Sequence, residues 1–170
     1  MKTRASHILQ IRSTKKGRVF RRGSLNDGKK WGLWMGKHRI FVYGTLKQDH
    51  RNHRFLKNAL RVGTTVTADA SFRMVELSSR SSPGLRSPGV REDGEGYIAG
   101  EVYEVDNQTR TELDKLEQEG VQYKRHLVSL RDGTLAEIYL LMAQDGSVSE
   151  TSERIGFDPE TKIYDWRPGP

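Results

Sequence analysis

Apolar residues in this chain come only in short runs. The longest stretches, such as Ile40 to Tyr43 and Ile138 to Ala143, are the size of single strands and are bounded by glycine or polar residues. No run approaches the roughly 20 apolar residues of a membrane span, and none resembles the apolar core of a secretory signal. Chain length and runs of this size predict one modest domain built largely from strands.

The strand signals fall in order. Ile40 to Tyr43 reads as a buried strand with a sharp turn at Gly44. Val62 to Leu77, rich in Val, Thr and Phe, predicts one or two strands. Ser78 to Glu95, with its serines, Pro83, Pro88, Gly84 and Gly89, predicts a loop. Tyr97 to Val105 alternates as a strand. Tyr123–Leu130 and Leu135–Met142 read as a hairpin joined at Asp132-Gly133. Two segments carry a helical period. Asn52 to Leu60 is a short one. Asp106 to Gly120 is the clearest, with Asp106 or Asn107 to cap it and Gly120 to end it. Residues 144–170 are polar and carry Phe157, Tyr164 and Trp166, the anchors of a tail packed across the body. Strand, helix and hairpin in this order predict a mixed α+β domain. Connections after residue 121 are too short for crossovers, so antiparallel pairing should dominate.

Charge separates this body from what precedes it. Residues 1–40 hold 12 Lys/Arg and one acid, Asp27; the rest holds 17 Lys/Arg and 21 Asp/Glu. Residues 1–37 therefore read as a basic N-terminal extension and residues 38–170 as the domain. The extension has four readings. It is a solvated segment docking Trp31 and Trp34 on the body, which is favoured. It is an attachment to nucleic acid or another acidic partner. It is an organelle transit peptide. Or Met35 is the native start.

Few residues offer chemistry. The chain has no cysteine, which removes disulfides, thiolate nucleophiles and sulfur-ligated metal sites. His50 and His53 stand three apart, but no third ligand accompanies them, and Arg51 and Arg54 would repel a cation. On the predicted helix, Leu113, Leu116 and Gly120 define the inner face at about 100° per residue. Glu117 lies at the edge of that stripe with Asp114 close by, while Glu112 and Glu119 face water. A carboxylate there must be paired, protonated or used. One reading is a rim acid bonded to the backbone or to Arg125, and spacing alone favours it. The other is a carboxyl whose pKa is raised for general acid/base work. After the first strand, Gly44 permits a positive φ or a close approach to a ligand, and successive amides in such a turn can hold a carboxylate; taken alone, the segment favours an ordinary strand-ending turn.

Taken together, the motifs resemble the γ-glutamylcyclotransferase-like (AIG2-like) family over roughly residues 39–143. They are R-I-F-V-Y-G-T-L at 39–46, R-N-H-R-F-L at 51–56, Pro83-Gly84-Leu85, G-E-V-Y-E-V-D at 100–106, L-D-K-L-E at 113–117 and Tyr123-Lys124-Arg125, with an echo at Asp165-Trp166. The resemblance implies a small mixed, mainly antiparallel β-barrel flanked by short helices, with its cavity at the mouth of the first strand. It implies that Tyr43, Gly44, Thr45 and Leu46 hold a γ-glutamyl group, that Tyr123 lines the cavity and that Glu117 is the catalytic acid/base. Ser82 departs from the tyrosine common at that position, and the basic extension is outside the family pattern. The implied reaction releases 5-oxoproline from a γ-glutamyl compound without metal, cofactor or covalent nucleophile. A cytoplasmic enzyme of a small γ-glutamyl substrate, with no membrane partner, is the expectation. The competing expectation is a non-catalytic binding module of the same fold, attached through its basic arm to nucleic acid or an acidic partner. A third joins the two.

Overall fold

The computed structural model describes residues 36–78, 84–142 and 148–167. The basic extension up to residue 35, with Trp31, Trp34 and Met35, and the loop residues Ser82 and Pro83 lie outside the described residues.

The fold is organised by one long strand. In chain order the elements are β1 (His38–Val42), a single 3-10 turn (His53–Leu56), β2 (Leu60–Val66), β3 (Phe72–Ser78), β4 (Arg86–Val105) and α1 (Asn107–Leu116). Then come β5 (Tyr123–Ser129), β6 (Leu135–Leu141), β7 (Val148–Ser149), β8 (Ile155–Asp158) and β9 (Ile163–Trp166). β4 pairs antiparallel with β1, β2 and β3 and parallel with β9. The path through the sheet runs β5-β6-β1-β4-β3-β7. Antiparallel pairing dominates; β1–β6 and β4–β9 are the parallel pairs. The expected barrel is thus present in open form, with β5 and β7 at the ends of the path, flanked by α1 and the 3-10 turn.

A straight 20-residue strand would span about 65 Å, longer than the roughly 40 Å that a globule of this size measures across. β4 therefore bends. Its pairing with β3 slips between Phe72 and Arg73, which face Gly96 and Arg91; such a bulge sharpens twist and turns the strand. This corrects the loop expected over Ser78 to Glu95, because residues 86–95 are strand. Their glycines mark close packing, not turns. A Cβ on Gly89 would meet Leu141 Cδ2 at 2.7 Å, and one on Gly94 would meet the Phe72 carbonyl oxygen at 2.3 Å.

Both faces of the sheet are covered. Phe41 and Tyr43 of the first strand and its turn join one cluster, with Phe72, Met74, Ile98, Ile138 and Trp166. Ile40 and Val42 join the other, with Leu46, Tyr103, Leu113, Tyr123 and Tyr139. A strand buried on both sides needs the continuous apolar run seen at 40–43.

Three further expectations are revised. The helix over 52–60 shrinks to one 3-10 turn. α1 is capped by Asp106, whose Oδ1 accepts from the Thr109 amide at 2.7 Å, but it ends at Leu116 instead of Gly120. Gln118 (φ 50°) and Gly120 (φ 81°) turn the chain away first. Residues 148–166 form three short strands and not an irregular tail. Trp166 is buried and Tyr164 packs on the core, whereas Phe157 stays exposed. Among the described residues no helix is long and apolar enough to cross a membrane.

Candidate active site

The end of β1 opens into a cavity of about 140 Å³. Phe41 to Leu46 form one wall, Arg51 and Asn52 the approach, Ser87 and Pro88 of β4 a second wall, and Leu116 and Glu117 the end of α1. Gln122, just before β5, Tyr123 of β5 and Tyr139 of β6 complete it. Tyr43, Gly44, Thr45, Leu46, Glu117 and Tyr123, the six residues singled out in the sequence, therefore share one hollow.

The turn after β1 is fixed from several sides. The Lys47 amide donates to the Gly44 carbonyl at 3.0 Å, the Asn52 amide to the Thr45 carbonyl at 3.0 Å, and Asn52 Nδ2 to Thr45 Oγ1 at 3.0 Å. Among the described residues, the amides of Thr45 and Leu46 donate to no protein group. Successive amides left free in a turn are donors of the kind that holds an anion where they converge. Gly44 does not use a left-handed φ. It is glycine because a Cβ would sit 2.3 Å from Pro88 Cγ. Neither expected role of Gly44, a left-handed turn or close approach to a ligand, is what the packing shows: the neighbour approached is Pro88.

Of the three phenols that line the hollow, Tyr43 and Tyr123 are committed to backbone carbonyls. Tyr43 Oη donates to the Tyr139 carbonyl at 2.6 Å, and Tyr123 Oη to the Pro88 carbonyl at 3.0 Å. Burial, then nearby charge that includes Glu117, holds both well above the ordinary range, so both stay neutral.

Glu117 occupies the C-cap of α1, where its amide still donates to the Leu113 carbonyl at 2.9 Å. Glu117 is half-buried and lines the cavity. Among the described residues it makes no hydrogen bond and no ion pair. Arg125, its prospective partner, is taken: the guanidinium bonds Asp114 and lies 3.2 Å from Glu137 Oε1. Asp114 also accepts from Tyr139 Oη at 2.7 Å. Of the two inner-face acids, Asp114 is the paired one and Glu117 the unpaired one. Desolvation alone pushes Glu117 from an ordinary 4.5 up to about 7.

The family comparison matches residues 40–165 to "Gamma-glutamyl cyclotransferase, AIG2-like". The chain belongs to that family. Relatives with curated names agree. Gamma-glutamylcyclotransferase family protein YtfP of Escherichia coli is 36% identical over 96 residues, covering 56% of this chain and 76% of the relative. Gamma-L-glutamyl-butirosin B gamma-glutamyl cyclotransferase of Niallia circulans is 34% identical over 79 residues, covering 46% of this chain and 45% of its own length. Among solved structures, an AIG2-like protein from Mus musculus superposes with a TM-score of 0.55 at 25% identity, covering 79% of this chain and 99% of the other.

Spacing did not assign a role to every lining residue of this family member. Arg51 and Asn52 stood in a quoted motif without a function. Ser87, Pro88 and Tyr139 carried no signal, because each reaches the cavity only through strand pairing across the sheet. Lys47 is a further case. Its Nζ binds Asp165 Oδ1 at 2.6 Å and the Trp166 carbonyl at 2.9 Å, tying the turn to the far end of the chain. This contact gives a physical reason for the sequence echo at Asp165-Trp166.

Proposed function

We propose that this chain is a γ-glutamylcyclotransferase that releases 5-oxoproline from a small γ-glutamyl compound, with Glu117 as proton carrier. The observation that carries the reading is an unpaired carboxyl, raised to about 7, lining the same 140 Å³ cavity as Thr45 and Leu46, whose amides donate to no protein group. In a merely structural role, that carboxyl would lower stability and return nothing.

The substrate's α-amine attacks its own γ-carbonyl carbon, the five-membered ring closes and the amine beyond the γ-carbonyl leaves. Both reacting groups belong to one molecule, so holding it in the closing conformation is most of the task; good orientation reaches effective molarities of about 10⁵ M. The amine is mainly an ammonium at neutral pH, since such groups titrate near about 8. Ionised Glu117 takes its proton, and the protonated carboxyl then delivers one to the leaving amine. A carboxyl near 7 is divided between the two forms at neutral pH, which suits a group that must act in both. The amides of Thr45 and Leu46 supply donors for the glutamyl end and for the oxyanion formed at the γ-carbon. The Tyr43 and Tyr123 hydroxyls are spent on backbone carbonyls, so in this reading they shape the wall. A free metabolite as substrate is consistent with a cytoplasmic enzyme.

The test is 5-oxoproline release from a panel of γ-glutamyl amino acids, amines and peptides, with Glu117→Gln as control. Release by the native protein and a fall of about 10² or more in the variant support the reading. A native protein inert on the whole panel, or a fully active Glu117→Gln variant with intact circular dichroism, refutes it.

A further inference from the structure

The Arg125 guanidinium is seated one helical step away from Glu117. It donates to Asp114 Oδ1, and its Nε lies 3.2 Å from Glu137 Oε1. Asp114 and Glu117 are three residues apart at the end of α1, and Glu117 keeps near-helical dihedrals (φ −82°, ψ −2°). Residues at that spacing are neighbours on a helix surface, about 5–6 Å apart at Cβ. Arginine carries its charge on a long stem with several rotatable bonds, so a guanidinium held by Asp114 needs only a change of rotamer to reach the next carboxyl on that face.

Asp114 keeps it where it is. Asp114 Oδ1 also accepts from Tyr139 Oη at 2.7 Å. Tyr139 is braced in turn, since its carbonyl accepts from Tyr43 Oη at 2.6 Å. Burial by itself would raise the Asp114 carboxyl, but the bonds from Arg125 and Tyr139 outweigh it and hold it below the ordinary 3.8. Asp114 is therefore a fixed anion with its donors in place. The other titratable or charged groups that line the cavity with Glu117 are Tyr43 after β1, Arg51 before the 3-10 turn, Tyr123 of β5 and Tyr139 of β6. The three phenols stay neutral, and Arg51 is exposed to solvent. We propose that Asp114 is a positioning residue: by holding Arg125 on its own carboxylate, it leaves Glu117 without a counter-charge and free to carry a proton. This rests on the cyclotransferase reading above.

The experiment follows kcat/KM against pH and, separately, Tm against pH in pairs of proteins with and without Glu117→Gln. Asp114→Asn keeps the shape of the side chain and removes its charge. Arg125 then turns to Glu117, and an opposite charge at contact lowers a carboxyl's pKa. The rising limb of kcat/KM is expected to move from about 7 to about 6 or lower, with kcat reduced and KM little changed. The gain in Tm that Glu117→Gln gives above pH 7 should shrink in the same background, because a paired carboxylate no longer burdens the fold. Asp114→Glu retains the charge and should keep the limb near its native position. Asp114→Asn combined with Arg125→Gln should return the limb to about 7, since no guanidinium is left to move. If Asp114→Asn does not fold, Asp114→Ser carries the same comparison. A limb and a Tm gain unchanged by Asp114→Asn overturn the proposal. So does a limb still displaced in the double variant, which would trace the effect to a loosened α1. Both results leave the cyclotransferase reading standing, whereas no 5-oxoproline from the native protein removes that reading and this role with it.

Discussion

Replacing Glu117 by glutamine should stabilise this protein at alkaline pH while disabling it. The side chains are nearly isosteric, so the change removes a charge and little else. Glu117 titrates near 7 in the fold against an ordinary 4.5. Below pH 4.5 the carboxyl is protonated in both folded and unfolded chains, and no penalty exists. Between 4.5 and 7 the unfolded chain releases its proton while the folded one retains it. Stability therefore falls as pH rises, by about 1.4 kcal/mol per pH unit. Above about 7 the loss levels off at about 3 kcal/mol, a ceiling because the carboxyl opens onto a wet cavity. For a domain of this length that corresponds to roughly 6–12 °C in Tm. Thermal or urea unfolding of both proteins at pH 4.5, 6, 7 and 8.5 measures it. The expected pattern is coincidence at the lowest pH and a widening advantage for Glu117→Gln that saturates above 7. A pH-independent difference, or none, would show that the carboxyl is solvated or paired, and the physical basis for its catalytic role would be lost.

The same titration should appear in catalysis: kcat/KM of the native protein should rise with pH through about 7 as free Glu117 ionises, and Glu117→Gln should lack that limb. Gly44→Ala would drive a methyl group to 2.3 Å from Pro88 Cγ; a cost of about 1–3 kcal/mol is expected from denaturant unfolding, with activity lost. Gly63→Ala is the matching control, since nothing lies within 4 Å of its Cβ position, and it should be neutral or stabilising by about 0.5 kcal/mol. Glu101 is nearly buried and accepts from the Gln48 amide at 2.9 Å, Tyr103 Oη at 2.7 Å and Arg61 at 3.3 Å. Burial raises its pKa, but these bonds outweigh that and hold it below the ordinary 4.5. Glu101→Ala should cost about 2 kcal/mol at pH 7 and raise KM by loosening the turn. The stability difference should be present above pH 4.5 and shrink as the native carboxyl is protonated at lower pH.

How much of this was legible in the chain depends on the range of the forces involved. Local rules located β1, the α1 cap at Asp106 and the hairpin at Asp132-Gly133, because alternation, capping and turn chemistry act within a few residues. They failed over residues 86–95. There Pro88, Gly89 and Gly94 look like loop punctuation, yet they are required by Gly44, Leu141 and Phe72, partners distant in sequence. Helical spacing likewise put Glu117 and Asp114 near the inner face and went no further. Which of them is free was decided by Arg125 and Tyr139, brought in by β5 and β6 to satisfy Asp114. So the sequence alone determined the places of β1, α1 and the β5–β6 hairpin, the family motifs and a short list of acids. Only the tertiary structure left one acid unpaired with its pKa raised, because a carboxyl's pKa depends on the water and counter-charges that remote segments remove or supply.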